Sequence, residues 1–454
     1  PILTDLPVLL GTSPSNAAWV ITATLLASAV ATPVSGRLGD LYGKRRVMLA
    51  CAALLVLGSL LCALSSTVLP MIVGRALQGA AMGLIPLGIS AMRDLLPPER
   101  LGSAVAMMSA SMGIGGALGL PIAAAIAEHA SWHALFWVSL GLAVAITAAI
   151  YFFVPATPIT ASGRFDPIGA LGLGAGLVCL LLGVSKGADW GWGSATTLGL
   201  LVSAVVVLLA WGTYELRIVD PLVDLRVTAR PVVLLTNIAS IVVGISMYAG
   251  MLILPQLLQL PVETGYGLGQ SMLEMGLWMA PGGFMMMLMS GVGARISHAR
   301  GPRVTLAAGA AVIALGYAVA ALLMGSTWGV LVSVCIMNGG VGMAYGAMPA
   351  LIMGAVPLSE TASANSFNTL MRSIGTSVSA AVVGVVLAQM TIDFGGVVLP
   401  SESGLRTGLL IGAGVGAVAA VIAWLIPTEA SRKAEERLEH PERFDDEVVA
   451  APGP

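Results

Sequence analysis

Charge is scarce in this 454-residue sequence, so the places that hold it are informative. The stretch Gly36–Arg46, GRLGDLYGKRR, carries Arg37, Asp40, Lys44, Arg45 and Arg46, whereas the whole chain is 10% charged and 57% hydrophobic. Mixed charges at this spacing can pair with one another or neutralise helix ends; they do not form a catalytic set. Two further charges, Arg75 and Arg372, fall inside apolar runs. A guanidinium at membrane depth costs at least ~2.5–3.5 kcal/mol on insertion scales, so it faces a cavity or a partner. Gln78 lies one turn from Arg75, and Asn365 and Asn368 precede Arg372 on a common helical face. Two readings stay open for both arginines: a functional one in a cavity, and a structural one bonding backbone carbonyls of a neighbouring helix.

Acids able to carry a proton are few. Glu274 opens an apolar run in SMLEMGLWMAPGG, where burial would suit it to proton exchange. Glu128 closes another run, and the alternative for both is a wet loop position. Cys51, Cys62, Cys179 and Cys335 sit in apolar stretches with neither disulfide nor metal spacing, and His129, His133, His298 and His440 are scattered. The sequence has no nucleophile triad and no G-x-x-x-x-G-K-[ST] phosphate loop. Flexible, polarizable surface is plentiful instead: Trp278 and Met279 with FMMMLMS (Phe284–Ser290), and Tyr248 with Met247 and Met251. Such surface accepts varied apolar ligands, although methionine is also an ordinary filler of packing gaps. Asn338, Tyr345, Asn365 and Asn368 complete the expected cavity set.

The elements that must position these residues follow from hydropathy. A mean hydropathy of +0.93 is incompatible with a water-exposed globular surface, which needs about 25% charge. Apolar blocks about 20 residues long, enough to cross a ~30 Å hydrocarbon core as helices, recur throughout. They predict an all-α polytopic protein with thirteen spans, near 17–35, 47–66, 70–94, 102–127, 133–154, 167–186, 195–214, 232–258, 272–293, 304–324, 328–356, 362–389 and 406–426. Placing Gly36–Arg46 on the cytoplasmic side and alternating from there leaves all but four of the 21 basic residues inside. Lys186 and Arg406 fall outside, and Arg75 and Arg372 within spans. Residue 1 is then outside and residue 454 inside. An outside start with no preceding span predicts one more helix upstream of Pro1, fourteen in the intact protein. Trp19, Trp132, Trp190, Trp192 and Trp328 fall near the outer interface as belt residues.

An internal repeat is also legible. ARISHARGPR (Ala294–Arg303) aligns with GRLGDLYGKR (Gly36–Arg45), matching Gly301 to Gly43, and GSAVAMMSASMGIG (Gly102–Gly115) aligns with ASANSFNTLMRSIG (Ala362–Gly375). The expected organisation is an N-terminal bundle (1–155), two inserted helices (156–215), a cytoplasmic connection (216–231), a C-terminal bundle (232–427) and an acidic tail (428–454). The two bundles would be related by an axis along the membrane normal.

GRLGDLYGKRR resembles the signature between the second and third helices of the major facilitator superfamily, and GRALQG (Gly74–Gly79) resembles the Arg-containing motif of its fourth helix. The two extra central spans and SANSFNTLMRSIGTSVSAAVVG (Ser363–Gly384) are similar to the fourteen-helix drug:proton antiporter branch. Departures are the proline of GIGGALGLP at 121, Trp132-His133 in place of Trp-Arg, and His298 where the second repeat would carry an acid. The resemblance implies a cytoplasmic gate of Gly36, Asp40, Gly43, Lys44, Arg45 and Asp94. In it Asp40 faces the N-terminus of the helix starting near Ser363, a contact worth about 0.3–1 kcal/mol, and Lys44 pairs with Asp94. The plainer alternative for the basic residues is the positive-inside bias. Arg75, Gln78, Glu274 and Arg372 are the implied coupling or cavity residues, with Arg75 acting on a nearby acid. Either a helix upstream of Pro1 carries that acid or the protein couples differently.

The expected function is a secondary active exporter of lipophilic or amphipathic small molecules, drugs and antibiotics included, driven by a proton gradient and working by alternating access in the cell membrane. No cofactor, metal or nucleic acid is expected, and the protein is expected to be a monomer in the lipid bilayer. A dedicated exporter of an endogenous lipid or natural product is the nearest alternative. A nutrient importer follows, and then a polytopic receptor or membrane enzyme, for which the sequence offers no reactive constellation.

Overall fold

The computed structural model describes residues 6–428. The expected acidic tail, from residue 429 on, lies outside the described residues. Thirteen of the described helices are long and apolar enough to cross a bilayer. In lipid a helix satisfies every backbone polar group within its own segment, which is why these apolar runs take that form. The first five are α1 (Pro14–Tyr42), α2 (Lys44–Leu64), α3 (Val68–Leu95), α4 (Pro98–His129) and α5 (His133–Phe153). Next come α6 (Pro167–Trp190) and α7 (Ala195–Glu215). The last six are α8 (Pro231–Gln259), α9 (Met272–Arg300), α10 (Pro302–Leu323), α11 (Thr327–Ala355), α12 (Thr361–Gln389) and α13 (Glu402–Leu425). A hairpin of β1 (Thr391–Phe394) and β2 (Val397–Pro400) joins α12 to α13.

The charged signature is not the loop that hydropathy suggests. Helix α1 runs on through Arg37 and Asp40 to Tyr42, and only Gly43 breaks it before α2 starts at Lys44. Gly43 has φ +91°, and its counterpart Gly301, between α9 and α10, has φ +86°. L side chains rarely adopt that backbone conformation, so glycine turns the chain in one residue at both places. Hydropathy marks the end of the apolar segment, whereas the helix ends where the backbone must turn.

The packing repeats itself. In the first half α1 and α2 pack on α3 and α2 on α5; in the second, α9 and α10 pack on α11 and α10 on α13. The most extensive contacts between halves are a matched pair, α1 with α12 and α9 with α4. The α4–α9 crossing is close because Gly113 and Gly283 face each other. A Cβ on Gly113 would lie 2.6 Å from the Gly283 carbonyl oxygen, and one on Gly283 2.3 Å from that of Gly113. Small residues are what let helix backbones meet where no hydrophobic effect drives association. The inserted helices α6 and α7 pack on each other, and α6 also touches α1 and α12, beside one line where the halves meet.

Candidate functional site

The halves are joined at the end that carries Gly43. The first N–H groups of any helix have no partner within it, and Glu360, which precedes α12, makes no side-chain cap. Asp40 supplies that cap from the opposite half. Its Oδ1 accepts the Ala362 N–H at 3.1 Å and its Oδ2 the Ser363 N–H at 2.8 Å. Gly36 permits the approach, since a Cβ there would lie 2.4 Å from Ser366 Oγ and 2.7 Å from the Ala362 carbonyl oxygen. Lys44 Nζ sits 2.5 Å from Asp94 Oδ2 and 3.5 Å from Asp40 Oδ1, with all three side chains essentially fully buried. The segment 157–161 helps to cover this group: Thr160 and Ala161 N–H donate to the Asp40 carbonyl, and Thr157 Oγ1 accepts the Arg45 N–H. The Arg45 side chain turns away, donating to the Tyr151 carbonyl at 2.6 Å and lying over its ring.

Arg93, Ser90 and Thr361, which nothing in the sequence singles out, complete this junction. Arg93 donates to Thr361 Oγ1 at 2.8 Å and to the Val356 carbonyl at 3.2 Å, so one guanidinium grips the turn between α11 and α12. Ser90 Oγ donates to the Thr361 carbonyl and accepts from Asn365 Nδ2. Arg93 stands beside Asp94 and reads in the sequence only as one more inside charge. Its partners lie more than 260 residues away, and no local pattern marks them.

A cavity of about 310 Å³ opens between α4 and the second half. Six methionines line it, Met112, Met247, Met251, Met279, Met286 and Met337, and Gly113, Gly116, Gly250 and Gly283 leave room for them by contributing no side chain. No charged residue is among its lining residues. Its polar groups are Asn338, whose Nδ2 donates back to the Val334 carbonyl, and Tyr345, whose OH points at Met247 Sδ. Met112 and Tyr345 also border a much smaller gap between the halves, lined by Ser109, Asn365, Asn368 and Arg372. There the Arg372 guanidinium lies 4.4 Å from the Tyr345 ring centroid, a cation–π contact worth about 0.5–2 kcal/mol depending on desolvation.

Of the expected cavity residues, Met251, Met279, Asn338 and Tyr345 line the large cavity. Tyr248 and Trp278 do not. Trp278 Nε1 donates to Gln270 Oε1 at 2.8 Å and its ring meets Trp328 edge-on, so it packs toward the start of α9. Tyr248 is half-buried on the next face of α8, about 100° round from the row Met247, Gly250, Met251 and Leu254 that meets the cavity. Asn365 and Asn368 serve packing as well as the small gap. Asn368 Nδ2 donates to Asn237 Oδ1 and Ser240 Oγ, both at 2.8 Å.

Two expected coupling residues, Glu274 and Arg75, line neither of these cavities. Glu274 is exposed and locked into a capping box, accepting the Ser271 N–H while Ser271 Oγ accepts its own. A helix N-terminus explains that carboxylate without a proton path. Arg75 lines neither cavity; it donates to Gln78 Oε1 at 2.8 Å, and Gln78 Nε2 donates to Ser59 Oγ at 3.0 Å. That chain of bonds ties α3 to α2 within the first half. Among the described residues no carboxylate lies within 4.0 Å of the Arg75 guanidinium. Glu128 is exposed at the end of α4.

A family model described as Major Facilitator Superfamily matches residues 1–380. Multidrug resistance protein 3 of Bacillus subtilis is 25% identical over 378 residues, 81% of this chain and 72% of its own. The tetracenomycin C resistance and export protein of Streptomyces glaucescens is 30% identical over 255 residues, 54% of this chain and 47% of its own. Other relatives are named only as uncharacterized transporters of the same type, and the chain spans about half the length of several of them. Among solved structures, the human organic anion transporter MFSD10 superposes with a TM-score of 0.63 over 93% of this chain and 88% of its own. At 15% identity that likeness is one of fold alone.

Proposed function

The chain belongs to the Major Facilitator Superfamily, and on that premise we propose that it exports lipophilic or amphipathic small molecules, driven by proton entry. The observation that carries this reading is the cavity between α4 and the second half. Six flexible thioethers, one aromatic hydroxyl and one carboxamide, with no fixed charge, form a surface that adapts to apolar ligands of varied shape. A site built for a sugar or a nucleotide would need converging hydrogen-bond groups, because buried polar groups of a ligand must be paired. The absence of a phosphate-binding loop from the sequence supports an ion gradient as the energy source.

In this reading the Gly43 end faces the cytoplasm, and the Asp40 cap on α12 is a reversible latch. Charge-assisted bonds hold the halves together there, yet they exchange with water when the halves part, as a purely apolar seal would not. Arg93 and the Lys44–Asp94 pair stiffen the latch on its two sides. A narrower reading, a dedicated exporter of one natural product, is favoured by the name of the Streptomyces glaucescens relative.

The test is transport in proteoliposomes with an imposed pH gradient. A panel of lipophilic cations and neutral aromatics should accumulate only when the gradient is present, with several chemically distinct members moved. Movement of one compound alone favours the narrower reading. Movement of none, or of polar sugars instead, refutes the proposal.

A further inference from the structure

Asp166 and Glu215 take no part in the latch or the cavity. Asp166 precedes α6 as its N-cap, Glu215 ends α7, and they are only 5% and 2% exposed. Each carboxylate has one oxygen satisfied. Asp166 Oδ1 accepts the Ile168 N–H and the Tyr214 hydroxyl, both at 3.1 Å, and Glu215 Oε2 accepts the Leu222 N–H at 3.0 Å. Among the described residues, no aligned donor reaches their other oxygens, Asp166 Oδ2 and Glu215 Oε1, both of them buried. Both point at the same spot: a Cβ added to Gly169 would lie 2.2 Å from the first and 2.6 Å from the second. Only a glycine leaves that space open.

Among the described residues, no cation pairs with either acid. Arg226 donates to the Leu216 carbonyl, the Arg164 N–H donates to Asp220, and neither these nor Arg217, nor Arg37 of α1 or Arg372 of α12, forms an ion pair with either acid. Asp220 accepts the Arg164 N–H and Asp224 caps the short helix Leu225–Thr228, so neither supplies a donor. The Trp211 indole N–H, one turn back from Glu215, and the Val223 N–H both face the Glu215 carboxyl, but the indole forms no aligned hydrogen bond, and neither group reaches Asp166, so they do not complete the set. Two carboxylates sharing a dry site cannot both stay ionised without a large cost.

We propose that Asp166 and Glu215 form a proton-binding site, in which one carboxyl is protonated and its O–H supplies the donor that the two orphaned oxygens lack. The proton removes one buried charge and ties the start of α6 to the end of α7. The site also has a mechanical connection. The Leu222 N–H that Glu215 holds belongs to the segment whose Leu222 and Val223 pack against Phe367 and Leu370 of α12 and Ala29 of α1. Losing the proton restores the second charge, draws water to the base of α6 and α7, and loosens that segment where it touches both halves. The inserted helices thereby acquire a role of their own, independent of which substrate is carried.

The test uses the full chain in nanodiscs. Thermal unfolding is followed against pH for wild type, Glu215→Gln and Asp166→Asn, with infrared spectra of the carboxyl C=O stretch. A folded state that holds a proton the unfolded chain has released loses stability as pH rises through the site's titration. Wild type should show that fall in Tm together with a titrating protonated-carboxyl band. Each amide variant, carrying one charge and its own N–H donor, should lose both. The same pH dependence in wild type and variants overturns the proposal. A Tm at high pH that rises with sodium in wild type but not in Glu215→Gln also overturns it, in favour of a metal cation. If neither variant folds, wild type alone decides: no protonated-carboxyl band at neutral pH refutes the site.

Discussion

Replacing Asp40 by Asn keeps the size of the side chain, removes its charge and turns one acceptor into a donor. Asp40 accepts one α12 N–H on each oxygen, from Ala362 and Ser363. An amide can serve only one of them, and the other is left buried opposite an NH₂ group, at a cost of about 1–3 kcal/mol. The lost attraction between the charge and the helix N-terminus adds about 0.3–1 kcal/mol at an exposed site and up to ~2 in a partly buried one. Lys44 keeps Asp94 as its partner, so no cation is orphaned. The joined arrangement should therefore weaken by roughly 2–4 kcal/mol, which at ~1.4 kcal/mol per tenfold shifts the ratio of joined to parted halves by about 30- to 700-fold. Spin labels at Arg46 and His298, exposed positions on opposite halves, report the change in a cysteine-free background. The distance distribution should move to longer values in Asp40→Asn, and proton-driven transport should fall severalfold or more. Substrate affinity should change little, because Asp40 does not line the cavity. Unchanged distances and transport would refute the latch, and so would a loss of affinity in parallel with transport.

Other consequences are equally direct. Arg75→Ala removes the bond to Gln78 and should lower stability by about 1–3 kcal/mol while leaving proton coupling intact; lost coupling with full stability would place an acid beside Arg75. Glu274→Gln preserves the capping box, which accepts either residue, so transport and its pH profile should match wild type, and a shifted profile would return a proton role to Glu274. Ser271→Ala, which deletes the other half of that box, should cost about 0.5–2 kcal/mol of stability. Single cysteines placed at Tyr42 and Arg300, both exposed beside the paired glycine turns, should be shielded from membrane-impermeant reagents outside intact cells. Labelling of either would invert the orientation.

The sequence by itself carried the membrane-spanning helices, the repeat and the signature turn, because each rests on local forces. An apolar run in lipid has no alternative to a helix, a glycine between two helices turns wherever it is placed, and sparse charges at a fixed spacing stand out against 57% hydrophobic residues. The matched glycines Gly43 and Gly301 were legible for that reason, and so was Asp40 as a candidate helix cap, through the family resemblance. The same locality misjudged where α1 ends, since charged residues are welcome in the last turns of a helix that is leaving the membrane.

Tertiary structure alone decided which faces meet. Trp278 and Met279 are neighbours in sequence, yet one packs on Trp328 and the other enters the cavity. A step of about 100° around a helix is enough to separate them, and hydropathy that is high on every face gives no phase. Arg75 and Arg372 carry the same charge in similar apolar runs, but one bonds within its own half and the other sits between the halves. The partners of Arg93 lie 263 and 268 residues away, and the free oxygens of Asp166 and Glu215 meet over Gly169, which shares the first turn of α6 with Asp166 but lies far from Glu215 in sequence. Those pairings depend on how whole helices settle against one another through glycine contacts and long-range hydrogen bonds, and a periodic, apolar sequence leaves many such arrangements locally equivalent.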